Sequence, residues 1–100
     1  MSATAEATVL ITHAVGLHAR PSVKFTKLAK RFTAEVEIAL EEGGPWVDAK
    51  SIVKVMAAKA PRGTLLHLRA RGDGAADAVD ALVALVQRDF DEDADHVRTA

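Results

Sequence analysis

The hydrophobic pattern of this chain switches repeatedly between a period of two and helical spacing, and the order of the switches restricts the folds open to it. Thr8-Val9-Leu10-Ile11-Thr12 reads as a strand with Val9 and Ile11 on one face. Ala34 to Leu40 alternates apolar with acidic or small residues, and Thr64 to Arg71 sets Leu66, Leu68 and Ala70 against an outward row of His67, Arg69 and Arg71. Glu41-Glu42-Gly43-Gly44-Pro45 is a turn, from which Trp46 to Asp48 returns as a short strand. Helices are expected over Arg20 to Phe32, Ser51 to Lys59 and Ala75 to Phe90. The third is the clearest, since Val79, Leu82, Val83, Val86 and Phe90 recur at i, i+3, i+4, i+7 and i+11. Asp77 and Asp80 stand near its start, where negative charge suits the helix dipole. The order β-α-β-β-α-β-α describes an α+β open-faced β-sandwich, a four-stranded, mostly antiparallel sheet with three helices on one face. Periodicity alone does not separate it from other split β-α-β folds.

One hundred residues, 49% of them hydrophobic, fit one domain with a modest core. That domain is expected over residues 1–90, with 91–100 an acidic, flexible tail. The chain has no cysteine, which excludes disulfides and thiolate metal sites and is compatible with a reducing compartment. No apolar run reaches membrane-spanning length and the first residues lack the basic start and apolar core of a secretory signal, so a cytoplasmic protein without membrane insertion is expected; a monomer is expected as well. A net charge of −1 offers no case for nucleic acid, where a strongly basic face is required.

Gly16-Leu17-His18-Ala19-Arg20-Pro21 places an imidazole where a strand gives way to a helix. Helix N-termini present unpaired N–H groups and the positive end of the dipole, so an anion at His18 meets donors from the residues just after it, Ala19 and Arg20. Arg20 adds a permanently charged fork suited to phosphate oxygens. Pro21 has φ preset for a first helical turn, and Gly16 lets the chain turn sharply. A cation two residues away pushes a histidine toward its neutral form, the form with a lone pair able to attack phosphorus. The alternative is an ordinary polar histidine in a turn.

Charge is distributed unevenly. Lys24, Lys27, Lys30 and Arg31 follow His18, whereas Asp89, Asp91, Glu92, Asp93 and Asp95 crowd the end of the chain. The basic residues are either a solvated helix side or a docking face that steers an acidic partner. His13, His18, His67 and His96 show no close pair at ligand spacing, so no metal is expected. Ser51 is a good N-cap for the second helix. It is also a position where a kinase would add roughly −1.5 to −2 charges at a helix N-terminus that tolerates them. Ile52, Val53 and Met56 cover too much of a short helix to point inward together, and an exposed apolar patch marks a partner site more often than a defect.

The Gly16–Pro21 segment, the amphipathic stretch ending in Phe32, and Ala49-Lys50-Ser51-Ile52 together resemble the HPr family, histidine phosphocarriers of the bacterial phosphoenolpyruvate-dependent phosphotransferase system. The resemblance runs from about Ala7 to about Val86. It implies the open-faced sandwich, and it implies that His18 accepts a phosphoryl group on Nδ1 from enzyme I and passes it to enzyme IIA components of sugar uptake. Arg20 and Ala19 would hold the phosphate, and Ala19, Val23, Lys27, Lys30, Ile52, Val53 and Met56 would meet the partners. Ser51 would match the serine that an HPr kinase/phosphorylase modifies. The protein itself would use no cofactor, since phosphoenolpyruvate and Mg²⁺ act at enzyme I, and it would be a phosphoryl carrier rather than a free-standing enzyme. Val15 stands where many members carry Asn or Ser, and the interval from His18 to Ser51 is longer than in the better-known members. Neither removes a residue the chemistry needs. Three alternatives accompany this reading. One is a nitrogen-related phosphotransfer chain, and another is a regulatory protein acting through Ser51. The third, a nucleic-acid-binding module, is opposed by Glu35 and Glu37 on the outward sheet face and by the lack of an aromatic platform.

Overall fold

The computed structural model describes residues 3–14, 16–17 and 19–91. Along the chain run β1 (Thr4–Leu10), α1 (Ala19–Ala29), β2 (Glu35–Ala39), β3 (Val47–Asp48), α2 (Ile52–Ala58), β4 (Leu65–Arg71) and α3 (Ala75–Gln87), followed by a 3₁₀ turn at Asp89–Asp91. This is the expected β-α-β-β-α-β-α order. The four strands form one sheet in the order β1-β4-β2-β3, and every pairing is antiparallel. Helices α1 and α3 pack on each other, α3 packs on β1, β4 and β2, and α2 packs on α1 and β3.

The alternation of β4 sets the core. Leu66, Leu68 and Ala70 are buried, as are Val36 and Ile38 on β2, and all face Phe25, Leu82 and Val86 of the helices within one apolar cluster. The opposite sheet face is charged. Arg69 bridges to Glu37 at 2.8 Å and stacks on the Trp46 ring at 4.1 Å from its centroid, while Arg71 bridges to Glu35.

Three elements depart from the sequence pattern by three residues or more, and the first, α1, stops at Ala29 rather than reaching Phe32, with residues 30–34 in turns. Strand β1 starts at Thr4, earlier than the period-two run from Thr8, because β4 supplies a partner for every residue from Thr4 opposite Arg71 to Leu10 opposite Leu65. Its inward residues there, Ala5 and Ala7, are too small to give a hydrophobic alternation. Helix α3 stops at Gln87 rather than reaching Phe90. Phe90 is fully buried as its spacing predicted, yet it enters the core from a left-handed turn with φ of 60° and not from the helix. Leu85, outside the predicted stripe, is buried on α3 in addition.

Asp91, the first residue of the expected acidic tail, is held, as is Asp89 before it. Asp89 accepts a hydrogen bond from Thr12, and Arg88 pairs with Asp91 at 2.9 Å. Residues 92–100, with Glu92, Asp93, Asp95 and His96, lie outside the described residues, as does Val15.

Candidate functional site

His18 lies outside the described residues, so the site is built from the backbone and side chains on either side of it. Before it, Gly16 has φ of +63°, and a Cβ there would meet the Ala60 carbonyl oxygen at 2.3 Å and Pro61 backbone atoms at 2.9 Å. Only glycine combines that conformation with that approach. Leu17 is buried, and its N–H donates to the Ala60 carbonyl at 2.8 Å. The segment in front of α1 is thereby fastened to the residue that follows the α2 C-cap, Lys59.

After it, Ala19 opens α1, and Ala19 and Arg20 are exposed. Their amides precede the first intrahelical bonds and sit at the positive end of the helix dipole, where anions are stabilised. Pro21 lies in the first turn, where a missing N–H costs nothing, and it is buried with Ser22 beneath the exposed pair. The first turn therefore anchors itself by one side and presents the other to solvent.

Helix α1 continues as a surface of mixed character. Phe25 and Ala29 are fully buried, whereas Val23 is 45% exposed and Lys27 and Lys30 are exposed. On the neighbouring α2 only Val55 is buried. Val53 is 73% and Met56 39% exposed, and Ile52 is half-buried, so the apolar residues expected to be left over on this short helix do face outward.

Ser51 caps α2. It has extended backbone, φ −99° and ψ 111°, and its Oγ accepts the Lys54 N–H at 3.2 Å. Just before it, the Lys50 N–H donates to Asp48 Oδ1 at 2.9 Å, and Lys50 Nζ donates to the Phe32 carbonyl beyond α1 at 2.7 Å. The seven residues of α2 span about 10 Å, which is the separation along the helix between Ser51 and the end that meets Leu17.

Sequence reasoning missed how much His13 and Thr12 contribute here. His13 is buried, its carbonyl accepts the Gly16 N–H at 3.0 Å, and its ring meets Phe90 edge-on. Nothing local distinguishes it from a solvated loop histidine, and the ring it meets lies far along the chain. His67 is half-buried on the outer sheet face. Among the described residues no three His, Asp or Glu side chains are grouped to hold a metal ion, and no helix is long and apolar enough to cross a membrane.

The sequence matches the family described as PTS HPr component phosphorylation site over residues 5–88. It is 42% identical to phosphocarrier protein HPr of Pseudomonas putida over 84 residues, which is 84% of this chain and 92% of that protein. It is 34% identical to phosphocarrier protein NPr of Escherichia coli (strain K12) over 90 residues, 90% of this chain and 99% of that one. Among solved structures, HPr-C-His from Thermoanaerobacter tengcongensis aligns with a TM-score of 0.81 at 35% identity, covering 89% of this chain and 98% of the other.

Proposed function

This chain belongs to the PTS HPr family of phosphocarrier proteins, and from that premise we propose that His18 takes a phosphoryl group from phospho-enzyme I and delivers it to an enzyme IIA component of sugar uptake in the cytoplasm. The observation that carries the reading is the start of α1, where Ala19 and Arg20 are exposed at the positive end of a helix whose next two residues are buried. A phosphate attached one residue earlier is met by donors that are already oriented, which is where most of the stabilisation of a phosphoryl-transfer transition state comes from.

In the transfer, the Nδ1 lone pair of His18 attacks the phosphorus of a phosphohistidine on enzyme I. One N–P bond forms as the other breaks in line; the departing imidazole nitrogen keeps its electron pair and takes up a proton from solvent, and phosphorylated His18 releases its Nε2 proton to solvent, so the exchange is proton-neutral. Arg20 and the amides of Ala19 and Arg20 hold the phosphoryl oxygens. Val23 and Lys27 of α1, Lys30 just beyond it, and Ile52, Val53 and Met56 of α2 form the docking face, whose apolar and basic residues together suit an acidic partner. The clamp is a helix end and one arginine, so the group can leave again for the next acceptor.

The sugar pathway is favoured by the 42% identity to an HPr, against 34% to an NPr. The nitrogen-related chain is the second reading. A regulatory role through Ser51 is supported by its place as an N-cap beside the docking face.

The test is intact-mass analysis after incubation with enzyme I, Mg²⁺ and phosphoenolpyruvate, comparing wild type with His18→Ala. One acid-labile phosphate, absent from the variant, is expected. No phosphate from an enzyme I of proven activity, the cognate one included, overturns the carrier reading, and acid-stable phosphate confined to Ser51 after kinase treatment then favours the regulator. Presenting the labelled protein to sugar-type and nitrogen-type IIA acceptors separates the two pathways.

A further inference from the structure

The turn that ends the described chain has a backbone that its residue types do not favour. Asp89, Phe90 and Asp91 take φ of 54°, 60° and 56° in succession, the left-handed region that residues other than glycine seldom enter and almost never in a row. Such a conformation persists where the surroundings over-determine it, and it concentrates at functional sites. Here the Phe90 ring is fully buried and meets the His13 ring edge-on, with centroids 5.9 Å apart and planes at 79°. Asp89 Oδ1 accepts the Thr12 hydroxyl proton at 2.7 Å. Within the turn, the Asp91 N–H returns to the Arg88 carbonyl at 3.0 Å, and the Arg88 side chain grips the Asp91 carboxylate with both Nε and an Nη. The contacts of Asp89 and Phe90 therefore land on adjacent residues of the β1–α1 connection, Thr12 and His13, and the His13 carbonyl passes the restraint on by accepting the Gly16 N–H.

We propose that the Asp89–Asp91 turn is a clamp on the β1–α1 connection, so that Thr12, His13, Asp89 and Phe90 are positioning residues for phosphoryl transfer at residue 18. The inference rests on the reading of His18 given above. In-line transfer demands that the nucleophile be held close to its attack geometry, and small misplacements cost rate steeply. A connection between two elements is mobile by default. Tying it to the end of α3 borrows rigidity from a helix packed on three strands of the sheet.

The experiment compares Thr12→Val and Phe90→Ala with the conservative Asp89→Asn, which keeps an acceptor oxygen and tolerates the left-handed backbone. Amide hydrogen exchange at Gly16 and Leu17 is read against Leu66 and Leu68 of β4, and transfer from phospho-enzyme I is read as kcat and KM. Faster exchange at Gly16 and Leu17 than at β4 is expected for Thr12→Val and Phe90→Ala. A kcat lower by about tenfold or more with KM little changed should accompany it, as for lost positioning, and Asp89→Asn should stay near wild type. Thr12 is exposed, so its variant keeps the core even if Phe90→Ala does not fold. Unchanged exchange at Gly16 and Leu17, exchange raised equally in β4, or an unchanged kcat with loosened amides each overturns the proposal. A wild type that takes no phosphate counts against the His18 reading instead, and the exchange data still decide whether the clamp exists.

Discussion

Gly16 sits against the carbonyl oxygen of Ala60 so closely that a methyl group on its Cα would lie 2.3 Å from that oxygen. The contact joins the approach to α1 with the exit from α2, and the Leu17 N–H bond to the same carbonyl locks it. Gly16→Ala adds both the clash and a left-handed alanine, so it should cost at least about 2 kcal/mol of stability by urea denaturation. A variant as stable as wild type would mean that the two segments separate without penalty.

Ser22 is fully buried, and its hydroxyl has no hydrogen-bond partner among the described residues. An unsatisfied buried hydroxyl is a liability, and alanine is the better helix former. Ser22→Ala should therefore raise stability by about 1 kcal/mol. Loss of stability in the same denaturation experiment would show that the hydroxyl is satisfied in solution.

Ser51→Ala removes the Oγ that accepts the Lys54 N–H, at a cost of about 1 kcal/mol. Ser51→Asp keeps a capping oxygen and places negative charge at a helix N-terminus, so its melting temperature should stay close to wild type. Its affinity for enzyme I should nevertheless fall in a titration, since the added charge would stand beside the proposed docking face. Equal affinities for Ser51→Asp and wild type would remove Ser51 from that face.

The Arg88 guanidinium holds the Asp91 carboxyl below its ordinary range, chiefly through their hydrogen bonds. A carboxylate whose pKa is lowered by folding adds stability that is present above its unfolded pKa and is lost as pH falls through the folded value. The window opens near pH 4 and extends downward. The pair is half-exposed, so the effect is small and weakens with salt. Asp91→Asn, which retains the left-handed backbone, should melt slightly below wild type at pH 7 and converge with it in acid. A gap that widens on acidification would reverse the assignment.

What the sequence determined by itself is the part whose causes are local. The period-two runs of β2 and β4, the helical stripe from Val79 to Val86 and the cap at Ser51 each follow from a few neighbouring residues. So the element order, the inward faces and the outward Val53 and Met56 were all legible. Pro21 and Arg20 likewise marked the start of α1. What only the tertiary structure decided depends on residues distant along the chain. Thr12 and Asp89 are separated by 77 positions, and the buried His13 ring meets Phe90 edge-on from equally far along the chain. Helical spacing found Phe90 as a core residue yet assigned it to the wrong backbone. Burial is demanded by the ring, whereas the conformation that achieves it is set by what waits on the other side of the core.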